Sequence, residues 1–194
     1  MTALDVWLDG THVATLVKGR GGLSMAYTND AGPLGAPLIS MAMPVVSRAY
    51  GNKRARPFFN GLLPEGEARS IIAYDLGVDT ADDFGLLREL GRDCAGALSI
   101  QSSDRPPPPR RSVMSAAPLA PSDVELLIKA LPVHPLGFDG RTIRVSLAGV
   151  QPKLLLARTA GGEWALPSDG VIPPTFSSPR VGSSPPQWPT RRCA

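Results

Sequence analysis

Leu4-Asp5-Val6-Trp7-Leu8, then Asp9-Gly10, then Val13-Ala14-Thr15-Leu16-Val17 is the stretch that decides the fold. Two apolar runs of strand length flank a turn pair whose glycine tolerates positive φ, which predicts an antiparallel hairpin. Gly19 to Gly22 supply a second turn before Leu23-Ser24-Met25-Ala26-Tyr27, so the opening segment reads as a β-meander. Leu38-Ile39-Ser40-Met41-Ala42-Met43 has the composition of one more strand, closed by Pro44, because proline cannot donate to a ladder.

From Pro57 the period changes to that of helices. Pro64, with Glu65 and Glu67 behind it, predicts a helix start, where a missing N–H costs nothing and carboxylates meet the positive end of the helix dipole. Ala68, Ile71, Ile72 and Leu76 supply an apolar stripe and Gly77 a left-handed stop, as amphipathic helices require. Asp82 to Leu90 reads as a second short helix ended by Gly91, and Ala95 to Ile100 returns to strand composition. Arg105 through Arg111 contains four consecutive prolines, which favour extended geometry and predict a semi-rigid linker. Beyond it, Ser122 and Glu125 have the spacing of a reciprocal helix cap ahead of Leu126, Leu127, Ile128 and Leu131, a sequence sign of a helix start. Thr142 to Ser146 and Lys153 to Arg158 read as strands around the loop from Leu147 to Pro152, and Gly161-Gly162 turns the chain into a strand from Glu163 to Leu166.

With 194 residues, 43% of them hydrophobic, the chain can fill one ordinary core or two small ones. The net charge is +3, and Lys53-Arg54-Ala55-Arg56, Arg110-Arg111 and Arg191-Arg192 are short basic runs. They read as solvated surface, so no direct nucleic-acid partner is expected. Every apolar run is far shorter than the roughly 20 residues that cross a bilayer, and Met1-Thr2-Ala3-Leu4-Asp5 lacks the features of a secretion signal. A cytoplasmic location without a membrane partner is the expectation. Cys94, Cys193, His12 and His134 have no ligand spacing, and no metal site is expected. Cys94 reads as a small buried residue rather than a nucleophile. Arg92 and Asp93 read as a loop-fixing pair after a helix, and Trp7 and Trp164 as core residues.

A glycine loop between two strands is the layout that kinases place over nucleotide phosphates, where backbone N–H groups come close because side chains are small. Any hairpin with a glycine has the same layout, and spacing alone leaves both readings open. Three further blocks bear on the choice: Phe58-Phe59-Asn60-Gly61-Leu62-Leu63-Pro64-Glu65-Gly66; Phe84-Gly85-Leu86-Leu87 with Gly91-Arg92-Asp93-Cys94-Ala95-Gly96-Ala97-Leu98; and Arg144 to Lys153. Together, in this order, they closely resemble the HipA family, and the resemblance runs from the N-terminus to about Thr175.

That resemblance implies an α+β fold and a serine/threonine protein kinase that acts as the toxin of a type II toxin–antitoxin pair. It implies ATP and Mg²⁺ as cofactors, a HipB-like helix-turn-helix antitoxin as partner, and glutamyl-tRNA synthetase as substrate. Residues up to about Gln101 would contact the antitoxin, and Ala148, Gly149, Val150, Gln151, Pro152 and Lys153 would contact the nucleotide. Ser146 matches the serine that the family phosphorylates on itself, and a new charge of about −2 there would push the loop away. An ordinary strand-end hydroxyl is the other reading of Ser146, and a strand-edge lysine that of Lys153.

After Ile172-Pro173-Pro174-Thr175 the family continues with a histidine and a short strand ending in Lys-Pro, whose lysine holds the phosphates. Here Phe176-Ser177-Ser178-Pro179 follows, and no lysine occurs after Lys153. Codons for Ile-Leu-Lys-Pro read one base late give Phe-Ser-Ser-Pro, and a family-like string read likewise can give Gly182 to Cys193. A frameshift near Thr175 is therefore expected, tested by translating the downstream nucleotides in the other frames. The expected organisation is an N-terminal subdomain of β-meander plus helices over residues 1–101, a linker over 102–120, an incomplete kinase small lobe over 121–175 and a disordered tail over 176–194. No phosphoryl transfer is expected from these residues alone. The alternative is a stand-alone interaction module that restrains a separate kinase core.

Overall fold

Strands β1 (Ala3–Leu8), β2 (Thr11–Gly19), β3 (Gly22–Tyr27) and β4 (Leu98–Ser102) pair antiparallel in the order β3-β2-β1-β4. They belong to a computed structural model that describes residues 3–94, 97–108, 118–131, 156–159 and 161–165. The β1–β2 turn is the expected dipeptide, with Asp9 at φ 47° and Gly10 at φ 76°, the conformation that matches hairpin twist. Leu4 faces Leu16 and Val6 faces Ala14, but Trp7 faces His12, so Val13 is an extra residue in β2. That bulge lets Val13 and Ala14 both be buried although they are adjacent, because a bulged residue escapes strict alternation. The opening meander is thus as expected, and β4 closes beside β1 after the chain has made three helices.

The strand expected over Leu38–Met43 does not form. Tyr50 occupies the free edge of β3 instead, its N–H bonding Met25 O at 2.7 Å and its carbonyl accepting from Met25 N at 2.9 Å. The segment between curls on itself through Leu38 N to Ala36 O (2.9 Å), Val45 N to Ala36 O (2.8 Å) and Met43 N to Ser40 O (3.1 Å). Pro37 and Pro44 bracket it, and neither can donate to a ladder.

Helix α1 (Asn52–Asn60) was not expected, since its first half reads as a basic run and it contains Pro57. Its buried residues, Ala55 and Phe59, are four apart, which is one face of a helix. Helix α2 (Gly66–Leu76) begins two residues after the expected Pro64, because Gly66 at φ 59° breaks the helical path before it. Its stop is as expected, with Gly77 left-handed at φ 64° and its N–H bonded to Ala73 O and Tyr74 O. Helix α3 (Asp83–Leu90) is capped by Asp82, whose side chain accepts from Gly85 N at 3.0 Å.

Leu4, Val6, Leu16, Met25 and Ile100 of the sheet pack with Phe59, Leu63, Ile72, Leu86, Leu87 and Leu90 in one core. Each such side chain contributes about 1.5–3 kcal/mol by leaving water. Cys94 is buried there and its thiol points at Gly91 O at 3.3 Å, as expected for an inert residue. Arg92 and Asp93 lie in the short turn after α3, where expected. Trp7 departs from expectation. It is only half-buried on the opposite sheet face, with its ring 5.0 Å from that of His12, because the β1 register gives the inner face to Leu4 and Val6.

A second, smaller cluster joins Val124, Leu131 and Leu156. Helix α4 (Pro121–Ala130) starts one residue before the expected Ser122, with Pro121 at its first position. Only half of a capping box exists: the Asp123 carboxylate accepts from Ala120 N at 3.1 Å, while Ala120 has no side-chain oxygen to return the bond. Glu125 instead pairs with Lys129 at 2.7 Å. Strands β5 (Ala157–Arg158) and β6 (Trp164–Ala165) form the expected hairpin through Gly162 at φ 83°. Trp164 is half-buried against the cluster rather than inside it. Among the described residues no helix is long and apolar enough to cross a membrane.

Candidate functional site

Three helices converge on one carboxylate. Asp83, at the start of α3, is 4% exposed and accepts from Arg69 Nη2 of α2 at 2.7 Å and from Arg56 Nε of α1 at 2.7 Å. Asn60, at the end of α1, lies 3.4 Å from the same carboxylate through Nδ2 and accepts from Arg69 Nη1 at 3.3 Å. Arg69 Nε donates to Thr80 O at 2.8 Å, just ahead of α3. A buried charge is tolerable only when its hydrogen-bonding positions are filled, and here the guanidinium and the carboxylate fill each other's. The helix pattern explains the placement: Arg69 stands three and four residues before Ile72 and Ala73 on the inward face of α2.

Beside this brace lies a cleft of about 180 Å³ lined by Lys18, Leu23, Asn52, Arg56, Ala81, Asp82, Asp83 and Phe84. It sits where the β2–β3 hairpin meets α1 and the start of α3. Lys18 crosses its mouth to Asp82 at 2.8 Å. Burial raises the Asp82 pKa, but the Lys18 bond and the Gly85 N–H more than offset it and hold the carboxyl below its ordinary value. The Asp83 carboxylate holds the Arg56 guanidinium above its ordinary value. Every carboxylate in the cleft is matched by a cation, so the arrangement fixes helices and offers no poised base or nucleophile. Asn52 and Gly22 meet at its rim: a Cβ on Gly22 would lie 2.4 Å from the Asn52 side chain, and Leu23 N donates to Asn52 Oδ1 at 2.9 Å.

The motif residues take distinct places. Phe59 is buried with Phe58 edge-on at 5.2 Å, Asn60 joins the brace, Leu63 is buried, and Phe84, Leu86 and Leu87 enter the core. Ser146 and the loop residues Ala148, Gly149, Val150, Gln151, Pro152 and Lys153 lie outside the described residues, as does the tail from 176. Leu156, fully buried, is the nearest described residue after that loop. Sequence reasoning missed Arg69 and Asp83. Their signal was available, since Arg69 is a charged residue set among the apolar positions of α2.

The family model described as the HipA N-terminal domain matches residues 4–101. Protein Y4mE of Sinorhizobium fredii is 35% identical over 189 residues, covering 94% of this chain and 44% of its own. The serine/threonine-protein kinase toxin HipA of Shewanella oneidensis is 32% identical over 134 residues, covering 67% of this chain and 29% of its own. The chain thus spans less than half the length of either. An uncharacterized protein of Haemophilus influenzae is 29% identical over 96 residues and is itself 88% covered. Among solved structures, the Shewanella oneidensis complex of HipA, HipB and operator DNA matches with a TM-score of 0.64 and 26% identity, over 89% of this chain and 39% of that one.

Proposed function

Since the chain belongs to the HipA family through its residues 4–101, we propose that it works in a type II toxin–antitoxin system, with those residues as the docking body for a HipB-like helix-turn-helix antitoxin. The observation that carries this reading is the agreement of two boundaries. The matched residues coincide with the body made of β1 to β4 and α1 to α3, locked from within by Arg69 and Asp83. A body braced in this way presents a fixed surface, and fixed surfaces bind partners without a large ordering cost.

In the whole kinase, ATP and Mg²⁺ would supply the γ-phosphoryl group and the charge neutralisation that its transfer needs. Ala148 to Lys153 would cover the phosphates with backbone N–H groups, Ser146 would be the site of self-phosphorylation, and glutamyl-tRNA synthetase would be the substrate. The 194 residues alone would not turn ATP over, because the phosphate-holding lysine, the metal-holding carboxylate and the catalytic aspartate of the family have no counterpart in them.

Co-expression of the chain with a HipB-like helix-turn-helix protein tests the docking claim. A complex that survives gel filtration is expected, and separate elution of the two proteins at micromolar concentration would refute it. Incubation with labelled ATP and Mg²⁺ tests the rest: label on Ser146 that disappears in Lys153→Ala would show that this chain is a kinase by itself. A second reading, a stand-alone module that restrains a separate kinase core, has one observation in its favour, the short Haemophilus influenzae relative covered over 88% of its length. A neighbouring gene for a kinase core without this subdomain would select it.

A further inference from the structure

Charge is unevenly divided along the chain. Residues 10–64 hold six lysines and arginines (Lys18, Arg20, Arg48, Lys53, Arg54 and Arg56) against Asp30 alone, a net +5, while the whole chain carries +3. The fold gathers these cations along one seam. Tyr50 pairs with Met25 across the edge of β3, and Asn52 bonds Leu23 two residues further along. Arg48 therefore lies on the Tyr27 side of that pair, and Lys53 lies beside the β2–β3 turn that carries Arg20. From Met25 to Gly22 the seam is about 10 Å long at about 3.3 Å per strand residue.

Lys18 and Arg56 are neutralised by Asp82 and Asp83. Arg20, Arg48, Lys53 and Arg54 are exposed and have no carboxylate partner among the described residues. Arg54 is held in place all the same: its guanidinium stands 5.8 Å from the Tyr50 ring centre, and the Tyr50 hydroxyl donates to Pro44 O at 2.6 Å. The first turn of α1 contains no acidic residue.

We propose that this seam is a docking surface for the phosphodiester backbone of a nucleic acid, read for charge and not for base sequence. Three of its four unpaired cations are arginines, whose planar fork fits phosphate oxygens. An acidic protein partner would require an apolar centre among the cations, and between Arg20 and Lys53 stand Gly21, Gly22 and Asn52. The inference is independent of any kinase activity, and it departs from the expectation that the short basic runs are merely solvated.

The test is fluorescence anisotropy of the full chain with a labelled random duplex DNA, and in a second arm a labelled single-stranded RNA, across about 50 to 200 mM salt. Each duplex phosphate neutralised contributes about 0.9 to the salt slope, so four contacts weaken duplex binding about a hundredfold over that range. The Arg20→Glu/Lys53→Glu double variant is expected to lower the slope by about 2 and reduce the salt-driven loss to about tenfold. Arg20→Lys/Lys53→Arg is expected to keep the parent slope, and Lys129→Glu, on α4, to change nothing. Binding in either arm that responds to the double charge reversal supports the surface and identifies the nucleic acid. Absence of binding in both arms at about 50 mM salt, an unchanged slope in the double reversal, loss of binding on removing Arg191 and Arg192 instead, or tighter binding to phosphatidylserine vesicles than to either nucleic acid would each overturn it.

Discussion

Replacing Asp83 by alanine removes the carboxylate on which α1, α2 and α3 converge. Arg69 keeps its bonds to Thr80 O and Asn60 Oδ1 but loses the partner of Nη2, inside a site where its side chain is 11% exposed. Deleting one member of a buried ion pair costs about 3–5 kcal/mol, because the survivor is left desolvated and unmatched. The Arg56 contact, on a side chain 52% exposed, is largely screened by solvent and adds little. The expected loss is about 3–5 kcal/mol against a total stability of about 5–15 kcal/mol for a small domain, and each kcal/mol lowers Tm by about 4–8 °C. Urea unfolding followed by far-ultraviolet circular dichroism measures it. Arg69→Met paired with Asp83→Ala should cost less than the two single changes summed, with a coupling of about 2 kcal/mol, because the double change leaves no orphaned charge. A loss under about 1 kcal/mol in Asp83→Ala, or strict additivity in the cycle, would refute the idea that this pair holds the helices together.

Gly91→Ala should destabilise by about 1–3 kcal/mol in the same urea assay, since its Cβ would stand 2.8 Å from Ile100 Cβ and 2.9 Å from Ile100 O, a strand backbone atom that cannot move aside. Gly21→Ala, with nothing within 4 Å, should stay within about 0.5 kcal/mol of the parent. The lowered pKa of Asp82 makes its contribution complete above the ordinary carboxylate value of about 3.9 and lost as pH falls through the lower folded value. The advantage of the parent over Asp82→Asn should accordingly shrink below about pH 4 when urea midpoints are compared across pH. Cys94 should react with a thiol reagent only as fast as the domain opens, because it is 3% exposed and a buried thiol is protected until unfolding. Peptide mapping after a timed pulse of iodoacetamide measures that rate, and prompt labelling of Cys94 in the folded chain would contradict the packing.

Local chemistry made part of this protein legible from residues alone. The Asp9-Gly10 turn, the Gly77 stop and the Gly161-Gly162 hairpin all follow from backbone preferences that act over two to four residues. The resemblance to the HipA family was carried by blocks that the fold puts in the core and the brace, Phe59, Asn60, Leu63, Phe84 and Leu87 among them, so motif and packing coincide. The misplaced strand at Leu38–Met43 and the unforeseen α1 have a common cause. Which segment gains the edge of β3 is settled by competition between Tyr50 and its neighbours, and whether a basic run with an internal proline coils is settled by Phe59 and Ala55 finding the sheet.

By itself the sequence determined where the chain turns, which residues are apolar enough to leave water, and to which family residues 4–101 belong, because those properties reside in single residues or short runs. Only the tertiary structure decided that Arg56, Arg69 and Asp83, 27 positions apart at most, share one buried carboxylate, and that Arg20, Arg48, Lys53 and Arg54 line one seam. Electrostatic energy depends on distance through space, and a linear sequence holds no such distance until the chain has folded.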